Sequence, residues 1–275
     1  MEKEHQQDIK KTIRKTYGKI ALQDNNNAGS SSSCCAPGCC SGGGGGGGED
    51  PPVKTATVIG YEPSELESVP QASILGVGCG APVKFADFQK GETVVDLGSG
   101  AGIDVFLSAK RVSKEGRVIG IDMTDEMLER ARRNAKEGGY SNVDFRKGDI
   151  EETIPVDENS VDVVISNCVI NLTTDKVKAF KEIHRILRNG GRMVVSDLVS
   201  DGKIPPKESI DLDKWVGCIE GTLTKDDYIA SIRKAGFQNV SVLEEHPYLE
   251  EGSEEDEEEV TGGRKIISMV VKTVK

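Results

Sequence analysis

The sequence has no long apolar run, and this absence excludes an integral membrane protein with helical spans. No stretch of its 275 residues approaches the roughly 18 apolar residues that a membrane-spanning helix needs. The first residues, MEKEHQQDIKK, are charged and lack the apolar segment of a secretion signal. We therefore expect a cytoplasmic protein with no membrane partner.

Aromatic residues are scarce, and positive charge is in deficit. Phe, Trp and Tyr make up 4% of the chain, and the formal net charge is −11. Eight carboxylates lie in the stretch 249–260, which we expect to be a solvated loop, and without them the net charge would be −3. A nucleic-acid-binding surface would need clustered basic residues, and no such pattern is present. We expect no nucleic-acid partner.

Apolar strands and amphipathic helices alternate from residue 92 onwards, and this alternation predicts the fold class. Five β-strands are predicted at 93–97, 118–123, 143–150, 161–170 and 192–199, with helices after three of them. Repeated strand–helix units of this kind form an α/β fold with right-handed crossovers. We predict a Rossmann-like, doubly wound and mostly parallel sheet, followed by a smaller α+β C-terminal part.

Composition divides the chain into three parts. Residues 1–52 begin with a short helix and continue as an arm that contains CCAPGCC and seven consecutive glycines, which we expect to be flexible. Residues 53–200 form the cofactor-binding sheet domain. Residues 201–275 are predicted to contribute helices over 207–223 and 224–236 and a two-stranded hairpin. We expect this part to lie over the carboxyl ends of the sheet strands.

A glycine-rich turn joins the first predicted strand to the first predicted helix. In ETVVDLGSGAGIDVF the strand ends at Leu97, and the turn Gly98–Gly102 leads into a helix that begins at Ile103. Glycine permits a positive φ and a close approach between backbone and ligand. The turn also presents free N–H groups at a helix N-terminus. These features indicate a site for a nucleotide-like cofactor.

Three acidic residues at strand ends, Asp96, Asp122 and Asp149, accompany this turn. Enzymes that bind NAD, FAD or S-adenosylmethionine share the strand–turn–helix arrangement, so the turn alone does not distinguish them. Ile103 stands where a dinucleotide fingerprint has its third glycine, and this disfavours a pyrophosphate ligand. Asp122 is placed to accept from ribose hydroxyls, and Asp149 is placed to accept from the exocyclic amine of adenine.

Four segments resemble the cofactor-contacting segments of the class I S-adenosylmethionine-dependent methyltransferases. They are VVDLGSGAG, VIGIDM, FRKGDI and SNCVINL. The resemblance implies the methyltransferase form of the doubly wound fold, with S-adenosylmethionine as methyl donor. It assigns to the cofactor the residues Asp96, Gly98, Ser99, Gly100, Gly102, Asp122, Met123, Asp149, Ile150, Asn167 and Val169.

The chain contains seven cysteines, and three of them are isolated. Free thiols in a reducing compartment tend to bind metals or to act in catalysis. Cys79, Cys168 and Cys218 lie 89 and 50 residues apart, so only the fold could assemble them into one site. Cys168 lies at the carboxyl end of the fourth predicted strand, beside the cofactor site. The spacing leaves two interpretations open, namely one shared site or three unrelated buried thiols.

The segments around these cysteines, GVGCGAP, SNCVINL and WVGCIEGTL, resemble those of the arsenite methyltransferases. The resemblance implies that Cys79, Cys168 and Cys218 bind As(III) as thiolates, which agrees with the preference of soft ligands for soft centres. The arsenic lone pair could then accept a methyl group without a general base. The resemblance also implies arsenite or methylarsenite as substrate, a glutathione or thioredoxin-type thiol as reductant and co-substrate, and a role in arsenic detoxification.

Four further cysteines, Cys34, Cys35, Cys39 and Cys40, lie in the N-terminal arm. The resemblance implies that one of them could form a disulfide with Cys79 when arsenic is oxidised. A metal-scavenging or merely tolerated cysteine cluster is the alternative. For the whole chain, the alternatives are a methyltransferase that acts on another small molecule and a non-catalytic thiol trap for arsenite or soft metals.

Overall fold

One seven-stranded sheet organises the part of the chain that the computed structural model describes, residues 2–23, 50–202, 212–248 and 265–275. Its strands are β1 (Thr93–Leu97), β2 (Arg117–Asp122), β3 (Val143–Lys147), β4 (Val161–Asn167), β5 (Leu187–Ser200), β6 (Val240–Pro247) and β7 (Ile266–Val274). They lie in the order β3-β2-β1-β4-β5-β7-β6, with β1 to β5 parallel and β7 antiparallel to both its neighbours. The predicted doubly wound, mostly parallel sheet is confirmed.

Helices cover both faces of the sheet and bury two apolar cores. They are α1 (Glu2–Leu22), α2 (Pro51–Val58), α3 (Pro63–Glu67), α4 (Ile103–Arg111), α5 (Asp125–Glu137), α6 (Lys176–Ile186), α7 (Leu212–Val216) and α8 (Lys225–Lys234). Phe106 of α4 packs in the same core as Val94, whereas Phe180 of α6 and Tyr228 of α8 pack in the same core as Val95. Val94 and Val95 serve different cores because successive strand side chains point to opposite faces. None of the described helices is long and apolar enough to cross a membrane.

The strand order reverses between β1 and β4, and this reversal positions the functional edge of the sheet. At such a switch point the connections leave in opposite directions and open a crevice at the carboxyl ends of the strands. Leu97 at the end of β1 pairs with Ser166 near the end of β4. The glycine turn and Cys168 therefore leave the sheet side by side.

The N-terminal helix α1 packs against the same edge of the molecule. Ile9 and Ile13 are each 2% exposed and pack against Val216, the last residue of α7. The Tyr17 hydroxyl donates to the Val216 carbonyl oxygen at 3.3 Å. The predicted N-terminal helix is confirmed, and Ile9, Ile13 and Tyr17 lie on its packed side.

The C-terminal part differs from its prediction in two respects. Strands β6 and β7 extend the main sheet beyond β5, whereas we expected this part to lie over the strand ends. The helix predicted over 207–223 is the shorter α7, which ends before Cys218 because that residue has a φ of +63° and cannot continue a helix. Residues 203–211 lie outside the described residues. The helix predicted over 224–236 is confirmed as α8, which Thr224 caps, and the division into three parts stays a prediction.

Candidate active site

The glycine turn after β1 forms one wall of a cleft. Gly98 has a φ of +69°, and a Cβ atom placed on it would lie 2.3 Å from Cγ2 of Val169. Only glycine can adopt this positive φ without strain and also fit beside the Val169 side chain. The adjacent Ser99 Oγ is buried and has no hydrogen-bond partner among the described residues. A polar atom left in this state beside a cleft indicates a place for a bound ligand.

Ten of the eleven residues predicted for the cofactor line this cleft. They are Asp96, Gly98, Ser99, Gly100, Asp122, Met123, Asp149, Ile150, Asn167 and Val169. Gly102 is set back from the cleft at the start of α4, where it has a φ of +100°. A Cβ atom there would lie 2.8 Å from the Phe106 ring, so helix packing requires this glycine. The roles of the other ten as cofactor contacts stay predictions.

Three carboxyl groups, two buried and one half-buried, make the cleft strongly acidic. Asp96 and Asp104 are each 3% exposed, and both line the cleft together with Asp122. Burial raises the pKa of Asp104 to about 6, and burial together with repulsion from Asp104 and Asp122 raises the pKa of Asp96 well above its usual range. Burial also raises the pKa of Asp122, although hydrogen bonds from the backbone N–H groups of Thr124, Gly100 and Met123 and from the Thr124 side chain partly offset it. A cationic ligand would relieve this repulsion, whereas a pyrophosphate would increase it.

Tyr61 and Asp104 belong to the cleft but were not predicted from the sequence. The Tyr61 hydroxyl donates to Oδ1 of Asp104 at 2.7 Å, and Nδ2 of Asn167 donates to the same hydroxyl at 3.0 Å. Asp104 lies in the first turn of α4, where an acidic residue usually serves the helix dipole. The sequence alone therefore does not distinguish a helix-capping role of Asp104 from a role in the cleft, and no sequence pattern points to Tyr61.

Lys10 of α1 meets the cleft at the end of β3. Its Nζ lies 2.6 Å from Oδ2 of Asp149 and 3.3 Å from Oε2 of Glu151. Oδ1 of Asp149 accepts from the Glu151 backbone N–H at 3.0 Å. Both oxygens of Asp149 are thus engaged, and an adenine amine would compete with Lys10 for this carboxylate. Lys10 precedes Asp149 by 139 residues, so local sequence patterns cannot reveal the pair.

The three isolated cysteines meet at the carboxyl end of β4. Cys168 packs in one cluster with Cys79 and Cys218, its sulfur lies within 4.8 Å of the Cys79 sulfur, and Cys218 Sγ donates to the Cys168 carbonyl oxygen at 3.1 Å. Cys168 and Cys218 have φ values of +58° and +63°, which L-residues rarely adopt. Cys168 also lines the cofactor cleft. Of the two interpretations, the structure favours one shared cluster over three unrelated thiols.

The surroundings of the cysteines favour protonated thiols. Hydrogen bonds with Cys218 and Cys79, and then burial, raise the pKa of Cys168 well above its usual range. Burial likewise raises the pKa of the Cys79 thiol. Cys79 and Cys168 therefore retain their thiol protons at neutral pH, and a ligand that binds them as thiolates must displace these protons.

Two charged residues beside the cysteines were also missed by the sequence analysis. Asp197 of β5 is fully buried, and one of its carboxylate oxygens lies within 4.8 Å of the sulfur atoms of Cys79 and Cys168. Burial raises the pKa of Asp197 to about 7. Lys176 is 7% exposed and donates to two backbone carbonyl groups, and burial lowers its pKa to about 8. The signal for Asp197 was its charge within the apolar strand RMVVSDLV.

Two regions named in the sequence analysis lie outside the described residues. They are the arm that carries Cys34, Cys35, Cys39 and Cys40, and the acidic stretch 249–260. The pairing of an arm cysteine with Cys79 stays a prediction.

The sheet order, the glycine turn and the acidic cleft define a class I S-adenosylmethionine-dependent methyltransferase. Residues 88–242 match the model of a methyltransferase domain family. The structure is similar to that of an arsenic(III) S-adenosylmethionine methyltransferase from Chlamydomonas reinhardtii, with a TM-score of 0.65 and 32% identity, covering 82% of this chain and 73% of that one. The chain belongs to the arsenite methyltransferase family within this class.

Two further relatives carry the same family name. An arsenite methyltransferase of Halobacterium salinarum is 46% identical over 184 residues, which are 67% of this chain and 47% of that protein. One from Aquipseudomonas alcaligenes is 36% identical over 186 residues, which are 65% of this chain and 53% of that protein. The chain thus spans about half the length of these two relatives.

Proposed function

We propose that this protein methylates trivalent arsenic, which it holds as a complex with Cys79, Cys168 and Cys218, and that S-adenosylmethionine is the methyl donor. The observation that carries the proposal is the position of Cys168. This residue lines the cofactor cleft and packs in one cluster with both other cysteines, with its sulfur within 4.8 Å of the Cys79 sulfur and its carbonyl oxygen 3.1 Å from Cys218 Sγ. The donor and acceptor sites therefore share a boundary at the end of β4, which a direct transfer requires.

The chemistry of arsenic suits three thiols and no general base. Soft thiolates select soft metal and metalloid centres. As(III) takes three such ligands in a pyramid and keeps a lone pair, which is already a nucleophile and needs no deprotonation. In agreement, His184 packs against Phe237 with ring centroids 5.1 Å apart, and His246 pairs with Glu244 at 2.9 Å, so neither histidine faces the cleft.

Two features of the cleft fit S-adenosylmethionine, namely the negative charge of its aspartates and the Ser99 Oγ, to which no described residue is hydrogen-bonded. Asp96, Asp104 and Asp122 would attract a ligand that bears both a sulfonium and an ammonium group. Ser99 Oγ would gain the hydrogen-bond partner that it lacks among the described residues. When bound, this cofactor supplies an electrophilic methyl group that the arsenic lone pair accepts, with S-adenosylhomocysteine as the leaving product. Tyr17 and other side chains of α1 line the cleft and would exclude water from it.

Arsenite and methylarsenite are the proposed substrates, and a thiol of the glutathione or thioredoxin type is the proposed reductant. Methyl transfer to the lone pair raises arsenic from As(III) to As(V), so each further methylation needs two electrons from a reductant. The cysteines of the arm, Cys34, Cys35, Cys39 and Cys40, are candidates for disulfide exchange with Cys79 in that step. Family membership supports a role in arsenic detoxification in the cytoplasm.

The test is incubation of the purified protein with arsenite, S-adenosylmethionine and reduced glutathione, followed by chromatographic speciation of the arsenic. We expect methylated arsenicals from the unaltered protein and none above background from Cys168→Ser. The control is Cys218→Ser, which should lose As(III) binding but keep its affinity for S-adenosylmethionine, because Cys218 does not line the cleft.

Two outcomes would contradict the proposal. As(III) binding without any methylarsenical would indicate a thiol trap. Methylation of a different small molecule that survives Cys168→Ser would indicate another kind of methyltransferase.

A further inference from the structure

The cysteine cluster includes a fourth donor that As(III) does not need. A carboxylate oxygen of Asp197 and the sulfur atoms of Cys79 and Cys168 all lie within 4.8 Å of one another. Asp197 is fully buried, and Cys79 is 5% exposed. An As(III) centre with three thiolates keeps its remaining position for the lone pair. The carboxylate therefore requires a separate explanation.

The Asp197 carboxylate is only partly satisfied by the protein. The Tyr228 hydroxyl donates to Oδ2 at 2.9 Å, whereas Oδ1 has no partner in hydrogen-bonding geometry among the described residues. The backbone N–H groups of Asn171 and Leu198 lower the pKa of this carboxyl group, although burial dominates and raises it. A buried carboxylate oxygen without a donor costs free energy, and a cation is the partner that would compensate it.

Cys218 supplies the third sulfur of the set. It packs in the same cluster as Cys79 and Cys168, and its Sγ donates to the Cys168 carbonyl oxygen at 3.1 Å. The buried Lys176 interacts electrostatically with both Cys218 and Asp197. Three sulfurs and one carboxylate oxygen beside a buried ammonium group form a donor set whose negative charge is partly neutralised by the protein.

The distances are compatible with tetrahedral coordination. Zn–S bonds of about 2.3 Å and Zn–O bonds of about 2.1 Å place neighbouring donors about 3.6–3.8 Å apart. The donor atoms of Cys79, Cys168 and Asp197 lie within 4.8 Å of one another, so side-chain movements of about 1 Å would bring these three to bonding distance of one cation. Cys218, which packs in the same cluster, would have to turn its sulfur from the Cys168 carbonyl oxygen to complete the site. Zinc is borderline-soft and accepts both thiolate and carboxylate ligands, in contrast to the three-thiolate preference of As(III).

We propose that Cys79, Cys168, Cys218 and Asp197 form a tetrahedral site for a divalent cation of the Zn²⁺ class, which competes with arsenic for the same thiols. Asp197 discriminates between the two ligands, because the cation uses four donors and As(III) uses three. The competition rests on the proposed arsenic site, whereas the cation site itself does not.

The experiment compares Zn²⁺ and As(III) affinities in full-length protein with Cys34, Cys35, Cys39 and Cys40 replaced by serine, so that only the cluster is measured. Zn²⁺ is titrated against a chromophoric chelator, and As(III) binding is followed separately. We expect Asp197→Asn to weaken Zn²⁺ binding by at least about tenfold, the scale of losing a strong interaction at a metal site. The same change should alter As(III) affinity by less than about threefold, since As(III) makes no bond to the carboxylate.

Tyr228→Phe is the matched control, because it removes the hydrogen bond to Asp197 and leaves the carboxylate in place. It should retain most of the Zn²⁺ affinity. Thermal unfolding of each variant reports whether the fold is intact. Should Asp197→Asn fail to fold, Co²⁺ added to the unaltered cluster gives an independent readout. Intense visible absorption indicates four-coordinate cobalt with thiolate ligands, whereas the weak spectrum of octahedral cobalt contradicts the proposal.

The outcomes separate this proposal from the proposed function. Unchanged Zn²⁺ affinity in Asp197→Asn would overturn the cation site, even if arsenic is bound and methylated. Zn²⁺ binding that depends on Asp197, in a protein that produces no methylarsenical, would support the cation site while the proposed function fails. Simultaneous binding of Zn²⁺ and As(III) would overturn the competition.

Discussion

The side-chain amide of Asn167 holds the backbone of Cys79 in place. Oδ1 of Asn167 accepts from the Cys79 N–H at 3.0 Å, while Nδ2 donates to the Gly80 carbonyl oxygen at 2.6 Å and to the Tyr61 hydroxyl at 3.0 Å. One side chain at the end of β4 therefore fixes a loop 88 residues earlier in the chain. We predicted Asn167 as a cofactor contact, and its polar atoms in the structure serve the cysteine loop.

Replacing Asn167 by alanine should weaken arsenic binding more than cofactor binding. Two hydrogen bonds to the Cys79 loop would be lost, at about 1 kcal/mol each, so As(III) affinity should fall about 10- to 100-fold. Calorimetric titration with As(III) and with S-adenosylmethionine measures both effects. Asn142→Ala is the control, because that amide also binds two backbone carbonyls but lies outside the cleft. A loss confined to S-adenosylmethionine would show that Asn167 serves the cofactor.

Two glycines of the turn should respond differently to alanine. Gly100 has a φ of +51°, but its Cβ would meet nothing closer than Met127 Sδ at 3.9 Å. Gly100→Ala should therefore cost only the left-handed backbone strain, about 1–2 kcal/mol of unfolding free energy. Gly98→Ala adds the clash with Val169 and should cost about 3 kcal/mol or more. Urea denaturation measures both values, and Gly98→Ala with Val169→Ala should recover part of the loss. Equal effects at Gly98 and Gly100 would contradict this account.

Asp104 should make the unliganded protein less stable as pH rises. Its folded-state pKa of about 6 lies above the ordinary value, so the folded state holds an extra proton between about pH 4 and pH 6. This stabilisation is complete below about pH 4 and is lost as pH rises through about 6. At pH 8, Asp104→Asn should raise the unfolding free energy by on the order of 2–3 kcal/mol, and at pH 4 it should have little effect.

The same change should weaken cofactor binding at pH 8, since it removes one charge that would attract a cationic ligand. Denaturation and S-adenosylmethionine titration at both pH values provide the measurements. Stability of Asp104→Asn equal to that of the unaltered protein at pH 8 would exclude an ionised, destabilising Asp104.

Lys10 should hold α1 against the cleft. Its side chain is 21% exposed and pairs with Asp149 and Glu151, so Lys10→Met should leave two neighbouring carboxylates without their cation. We expect the free energy of unfolding to fall by about 1 kcal/mol and amide hydrogen exchange over residues 2–22 to become faster. Lys11→Met is the control, because Lys11 is exposed on the same helix. Equal exchange rates in both variants would mean that the ion pair does not stabilise α1.

Local patterns in the sequence predicted the sheet, the turn and the residues on its strand ends. The run Thr93–Leu97 is mostly β-branched and apolar, and the glycines after it permit the positive φ angles of a tight turn. The helix that begins after Thr224 was also predictable from local sequence. Its cap joins residues only three positions apart, since Thr224 Oγ1 accepts from the Asp227 N–H. Patterns of this range are visible because the interacting groups are neighbours along the chain.

Local patterns did not predict contacts between distant segments. The pair Lys10–Asp149 depends on how α1 docks, and no periodicity encodes it. The spacing of Cys79, Cys168 and Cys218 likewise left their meeting open until the fold placed them together. The α7 prediction was wrong at its C-terminal end because Cys218 takes a left-handed conformation, which is set by tertiary contacts and not by helix propensity.

The position of β7 has a consequence for synthesis of the protein. This strand lies between β5 and β6, although it follows both along the chain. On the ribosome, β6 therefore emerges before the strand with which it pairs. The Ser268 hydroxyl of β7 donates to the Cys79 carbonyl oxygen, so the cysteine loop gains this support only after Ser268 has left the exit tunnel. Arsenite that reaches the nascent chain earlier meets reactive thiols but not the finished site.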